Sequence, residues 1–528
     1  MKQIATAILL FYYIIAQSQD KGIAKNAFIN QDLQLAFDFW NISKSNTKFH
    51  SSFKPYLSSS YSEASDSMVP FKFYSFNNSY LIKSLGEKKI NTLQVLPILD
   101  LEYGYERLKN KSLISSLGGL NLKLNLKNNV SLALTIFGGN RQFPSFLDTA
   151  IAYQKIIPEF GQAYSNSKNG YSFFDYTGYI SFTPKNSQVF NFQLGRDKHF
   201  IGDGYRSVLL SDYAAAYPYF RINTNLWRFQ YNVWYTWMYD VSQAKGIKNN
   251  YTNKFGAFHY LSYNIIKDLN IGLFENIIWR GSDTNQVRTF EVNYLNPIIF
   301  FRPQEFAVGS PDNSFIGLNL NATLFKKIKI YAQLGLDEFY LKEIKANRGW
   351  WGNKQAWQIG TKYINALGIK GLKIQVEYNE VKPYTYTHSV VSQNYAHYGM
   401  PLAHPLGANF KEFIGIVNYR KNKWELRWQG QYVILGKDSI ANSNVGQNIF
   451  LSYVTRNSEY GNFTTQGLKS IVIQNQFQIS YLIAPKLNMR FELGLIHRSE
   501  KNTSGYKLES PFLFAAFKTS FWNSYRDF

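Results

Sequence analysis

The chain has 528 residues, with 57 Lys and Arg against 35 Asp and Glu, a formal net charge of +22. Cys is absent, which excludes disulfides, thiolate metal sites, a catalytic thiol and a lipidated amino-terminal Cys. Aromatic residues make up 17% of the sequence yet mean hydropathy is negative, and beyond the amino end no segment offers the run of apolar residues that a spanning helix needs.

At the amino end Lys2 precedes the apolar run ATAILLFYYIIA and the small-residue pattern Ala16-Gln17-Ser18. The run is too short to span a bilayer, so residues 1–18 are expected to form a cleaved secretory signal peptide. Residues 19–90, with DLQLAFDFWNIS and then SSFKPYLSSSYSEASDS, show no sustained alternation. They are expected to form a periplasmic extension or a lumen plug, with a first strand or two concealed among them.

From residue 91 to 528 the period changes. In LNLKLNLKNNVSLALTIF (120–137), Leu120, Leu122, Leu124 and Leu126 alternate with polar residues, and Val130, Leu132, Leu134 and Ile136 resume the beat after Lys-Asn-Asn. Period-two alternation across a polar turn predicts a β-hairpin with one apolar face. Similar strands follow at 173–184, 188–195, 227–239, 255–266, 269–279, 315–325 and 328–336, then at 372–381, 413–420, 423–434, 471–482, 486–496 and 512–521. With weaker candidates the count reaches sixteen to twenty, each close to the length of a tilted membrane strand.

A transmembrane all-β barrel accounts for both the aromatic content and the low hydropathy. One face of each strand meets lipid, the other lines a polar interior, and aromatic girdles mark the interfaces. Closure also removes the edges an open sheet would expose. Short turns such as Lys326-Lys327 alternate with long polar connections, the pattern of periplasmic turns and extracellular loops. Phe528 ends the sequence as a terminal Phe often does in such barrels, although Arg526 and Asp527 make that match partial.

Three stretches depart from the strand pattern. In GRDKHFIGDGYRSVLLSD, Arg196, Asp197, Lys198, His199, Asp203, Arg206 and Asp212 place both signs of charge beside glycines. They suit either a polar cluster that binds sugar hydroxyls or carboxylates, or a set of mutual pairs that fastens an inward-folded loop. In YLNPIIFFRPQEFAVGSPDN, Arg302 and Glu305 lie among prolines that cannot donate to a ladder, which predicts a strand end and a constrained loop. In the third, His388, His397 and His404 are nine and seven residues apart, matching no compact zinc motif. Tyr384, Tyr386, Tyr395 and Tyr398 offer flat faces for sugar rings or members of an interface girdle.

Together the GDGYRS core, the NP…FRP…EF…GSPDN segment and the PYTY…PLAHPLGANF segment resemble the Wzi-like capsule-assembly family in its Bacteroidota branch, which includes RemB-type gliding-motility proteins. The resemblance implies an outer-membrane barrel of about eighteen strands with a plugged interior, not an enzyme. It also implies work at the cell surface in capsule assembly or attachment, or in gliding and adhesion. The amino-terminal region here lacks the three-helix pattern of the capsule proteins.

No cofactor or metal is expected, and no catalytic residue is assigned. The basic excess points to phosphorylated lipid heads or acidic surface polysaccharide rather than nucleic acid, since export and a barrel pattern remove the chain from the latter. Two other readings stand beside this one. The barrel is a structural subunit docking with other outer-membrane, motility or secretion proteins, or it is a lipid hydrolase with Ser207 or Ser389 as nucleophile, although no G-x-S-x-G elbow occurs.

Overall fold

Leu120 pairs across the first hairpin with Ile136, Leu122 with Leu134 and Leu124 with Leu132. The leucines project outward, whereas Asn121, Asn125, Ser131 and Thr135 between them are buried on the inner face. This division of teeth recurs around a closed antiparallel barrel of eighteen long strands. The computed structural model describes residues 25–44, 48–60, 83–84, 92–126, 129–163, 165–167, 170–184, 189–241, 250–281, 290–301, 312–439, 443–484 and 488–528. The expected signal peptide lies outside them.

The strands are β1 (Thr92–Glu106), β2 (Lys111–Leu126), β3 (Val130–Arg141), β4 (Gly170–Phe182), β5 (Phe190–Asp197) and β6 (Tyr217–Leu226). Then come β7 (Phe229–Asp240), β8 (Thr252–Ile266), β9 (Leu269–Arg280), β10 (Asn313–Leu324), β11 (Ile328–Glu338) and β12 (Lys354–Ile364). The last six are β13 (Leu372–Val381), β14 (Phe410–Lys421), β15 (Trp424–Lys437), β16 (Leu468–Ala484), β17 (Met489–Asn502) and β18 (Lys507–Lys518). Each pairs with its successor, and β18 closes on β1 from Phe512 opposite Glu106 to Phe517 opposite Leu101.

The two rims differ. Every connection from an even strand to the next is short, as at 227–228, 267–268, 325–327 and 422–423, while connections from odd strands include 142–169, 198–216, 281–312, 382–409 and 438–467. The start of β1 and the end of β18 lie on the tight-turn rim.

The lumen is packed from both rims. From the tight-turn rim come residues 25–44 with helix α1 (Gln31–Lys44), residues 48–60, and residues 519–528. From the opposite rim come the segment holding α2 (Ser145–Gln154) and the loops 198–216 and 382–409. The two sets meet inside, where Phe53–Lys54 forms a two-residue antiparallel ladder with Phe200–Ile201. Loop residues Val208, Leu209 and Leu210 pack with the inward rings of Trp234, Phe258, Tyr260 and Phe315 in an apolar inner core.

One connection takes the other direction. Residues 290–301 lie on the outer wall over β7–β9, where the Tyr235 hydroxyl donates to Leu295 O at 2.9 Å and the Tyr231 hydroxyl to Pro297 O at 2.7 Å. The strap covers His259 and Glu275, outward-facing polar side chains, and Glu275 accepts from the Phe300 amide. Ile298, Phe300 and Phe301 face away from the wall and are exposed.

Candidate functional site

The centre of the lumen is a polar clasp built on loop 198–216. Arg206 is buried, with its guanidinium 3.1 Å from the Asp527 carboxylate and 3.5 Å from Glu412 on β14. Its Nη2 also donates to Asp527 O at 2.6 Å. Burial alone would lower its pKa, but the two carboxylates override that and raise it. The amides of Tyr205 and Arg206 donate to the two oxygens of Glu377 on β13, at 2.7 and 3.0 Å. His404 Nε2 lies 2.7 Å from Glu412, while its Nδ1 accepts from the Leu406 amide. Burial pulls the His404 imidazole down, and acceptance at Nδ1 leaves Nε2 as the donor of a neutral ring.

Asp203 connects the clasp to the amino-terminal segment. It accepts from Ser52 at 2.8 Å and lies 3.1 Å from Lys329 on β11. Burial would raise its carboxyl, but Lys329 and Lys54 hold it down to about 2. Asp212 binds the tail, accepting from the Tyr525 hydroxyl at 2.7 Å and from Asn523 at 2.8 Å. His199 packs edge-on to Tyr219 and approaches the Tyr217 hydroxyl at 3.2 Å. Arg196 pairs instead with Asp175 on β4 at 2.7 Å, and Asp197 Oδ1 accepts from the Lys198 amide.

The third stretch is fastening of the same kind. Tyr386 and Tyr395 are fully buried and donate to Val208 O and Leu209 O, each at 2.7 Å, and Tyr384 donates to Asn444 O at 2.8 Å. These rings therefore face neither water nor lipid. His388 and His397 stand apart from His404, accepting from the amides of Val390 and Tyr239, and burial lowers them to about 4 and about 3. Tyr398 is partly buried against Tyr251. Arg302 and Glu305 lie outside the described residues. The Ser207 hydroxyl donates to Ile201 O and accepts from the amides of Leu209 and Leu210, which makes it a loop fastener.

Sequence reading missed the partners that complete the clasp: Glu377, Glu412, Asp527 and Gln333, whose Oε1 accepts from the Val208 amide at 3.0 Å. Gln333, Glu377 and Glu412 occupy the inward register of their strands, a signal readable once the lipid-facing register is known. Also missed was an aromatic and arginine cluster on the long-loop rim. Trp351 packs at a tilt against Tyr453, ring centroids 4.6 Å apart, with the Arg456 guanidinium 4.4 Å from the Trp351 ring, and Arg348 lies 4.6 Å over Tyr460. Trp350 adjoins Trp351 at 5.7 Å. Two loops are joined here by backbone bonds from Trp351 to Glu459, Gly461 to Arg348 and Asn462 to Gly349, at 2.9–3.0 Å. Gly349 has φ +65°, and a Cβ there would stand 2.7 Å from Asn462 N, so the close crossing requires glycine.

No protein-family model matches the chain, and no curated protein matches its sequence. Among solved structures, the chain is similar to Wzi of Escherichia coli, described as an outer-membrane protein involved in group 1 capsule assembly and a carbohydrate-binding β-barrel. The TM-score is 0.59 at 12% identity, over 94% of this chain and 99% of that one. The fold is that of an outer-membrane barrel. Pseudomonas aeruginosa OprD aligns at TM-score 0.43 and 10% identity, over 83% of this chain and 97% of its own. In a barrel of this fold the outward leucines of β2 and β3 occupy the register that faces lipid.

Proposed function

We propose that the protein is a non-enzymatic, integral outer-membrane barrel that holds or assembles acidic polysaccharide at the cell surface. In this reading residues 1–18 are a cleaved signal peptide, residues 19–90 belong to the lumen plug, and the long-loop rim is extracellular. The observation that carries the reading is the aromatic and arginine cluster on that rim, set above a lumen filled by fastened segments. Flat rings suit sugar rings, and Arg348 and Arg456, each also held by a neighbouring carboxylate, Glu343 and Glu459, set basic groups beside them. The similar Wzi barrel is described as carbohydrate-binding, and the +22 charge favours an acidic glycan. The mutual engagement of the luminal charges, and of Ser207, favours fastening over catalysis.

The test is a deletion strain scored for retained surface polysaccharide and for surface spreading, with purified barrel titrated against that polysaccharide at low and high salt. Loss of polysaccharide from the cells and salt-weakened binding are expected. Unchanged retention together with salt-independent binding would refute the reading. Loss of spreading alone would assign the barrel to gliding and adhesion instead.

The exposed strap over β7–β9 favours a second reading, a subunit that docks within a larger outer-membrane assembly. A stoichiometric complex that survives extraction and lacks glycan affinity would select it.

A further inference from the structure

Near the tight-turn rim, α1, the segment Lys54–Tyr56, the inner loop at Phe200–Tyr205 and the wall strands β12–β15 line a pocket. Lys54, Lys362, Lys373 and Arg427 line it, beside the rings of Phe28 and Tyr205. Lys362 and Lys373 share one carboxylate, that of Asp38, at 2.9 and 3.0 Å.

The other two basic side chains have no carboxylate within ion-pair distance among the described residues. Lys54 Nζ donates to Gly202 O at 2.5 Å and lies 4.6 Å over the Phe200 ring, while Arg427 donates to the neutral Gln429 at 2.8 Å. Four basic side chains thus line the pocket against one carboxylate within ion-pair distance, that of Asp38. Asp203, the next carboxylate toward the lumen centre, is paired with Lys329 and draws on Lys54 only from beyond that distance. Lys54, Lys362 and Lys373 are all buried, where like charges without counter-charge are costly.

We propose that this cavity binds a small organic anion, one carboxylate or phosphate carried on a sugar-sized ring, held by Arg427 and Lys54 with its ring face toward Tyr205. Arg427 supplies bidentate geometry, and Gln375 and Asn418, also in the lining, supply neutral donors for hydroxyls. Burial pulls the Lys54 ammonium down to about 7 against the opposing pull of Asp203, so an arriving anion would also hold its proton. The site is separate from the rim cluster and stands or falls independently of polysaccharide retention by cells.

Isothermal titration of the detergent-solubilised full chain with sodium glucuronate, glucose 6-phosphate and glucose tests it. Saturable binding of at least one anion is expected, weakened by salt, with no binding of glucose. Binding of glucuronate alone identifies a carboxylated ligand, and of glucose 6-phosphate alone a phosphorylated one. Arg427→Gln should weaken the bound anion at least tenfold, and Arg427→Lys should recover part of that loss. Lys54→Met, at the opposite wall, should weaken it as well. The proposal is overturned if no anion binds, if glucose binds as tightly as the anions, or if folded Arg427→Gln and Lys54→Met both retain wild-type affinity.

Discussion

Arg206 and Asp527 meet 3.1 Å apart in the middle of the lumen although they arrive from opposite rims, one on a long loop and the other on the tail that follows β18. Removing one partner of a buried pair leaves the other charge uncompensated, which costs roughly 3–5 kcal/mol. Arg206→Ala is therefore expected to lower the denaturant midpoint of the purified barrel and to admit protease to residues 519–528. An unchanged midpoint and a protected tail would show that the pair does not fasten the plug.

A lumen filled in this way should not conduct. In planar bilayers the reconstituted protein is expected to give no stable unitary current, because the inner loops pack against the wall side chains across the lumen. Reproducible porin-like conductance steps would contradict the packing.

The outward register makes a sharper demand. Leu120 projects from the middle of β2 opposite Ile136, and arginine at a lipid-facing position near the bilayer midplane costs roughly 2–4 kcal/mol. Leu120→Arg should reduce the folded fraction on insertion into liposomes, read as the heat-sensitive shift in gel mobility. Wild-type yield would mean that this face does not meet hydrocarbon.

Acid should loosen the plug before the wall. The folded-state pKa of Asp203 is depressed to about 2 from an ordinary value of 3.8, chiefly by Lys329 working against burial. Its stabilising contribution is complete above the unfolded value and disappears as pH falls through the folded one, so the loss falls between about pH 4 and pH 2. Asp38, held low by Lys362 and Lys373 against burial, acts in the same direction. Amide exchange in residues 48–57 and 198–206 should accelerate across that window while the strands stay protected, and Asp203→Asn should flatten the response.

The barrel was legible because lipid imposes a rule on every second residue. Leu120, Leu122 and Leu124 could be assigned a face from their neighbours alone, and the strand count followed from repetition of that rule. The plug obeys no local period. Arg206 was visible as a candidate, but its partners Glu377, Glu412 and Asp527 are more than 150 positions away and carry no motif of their own. Tyr386 and Tyr395 looked like sugar platforms because ring chemistry is local, whereas the loop carbonyls that hold them are set by tertiary contact. Trp350 and Trp351 escaped notice because the loop they meet begins some hundred residues later.

The ladder between Phe53–Lys54 and Phe200–Ile201, with Lys362 and Lys373 gripping Asp38, has a consequence for biogenesis. Residues 25–44 and 48–60 are synthesised and delivered before any strand of the wall, but their anchors are distributed as far along the chain as β17 and the tail after β18. They must wait, unsettled, while the cylinder is built around the place they will occupy. A hollow intermediate that gains its stopper last is thus written into the contact pattern, and long sequence separations of this kind make such a step slow.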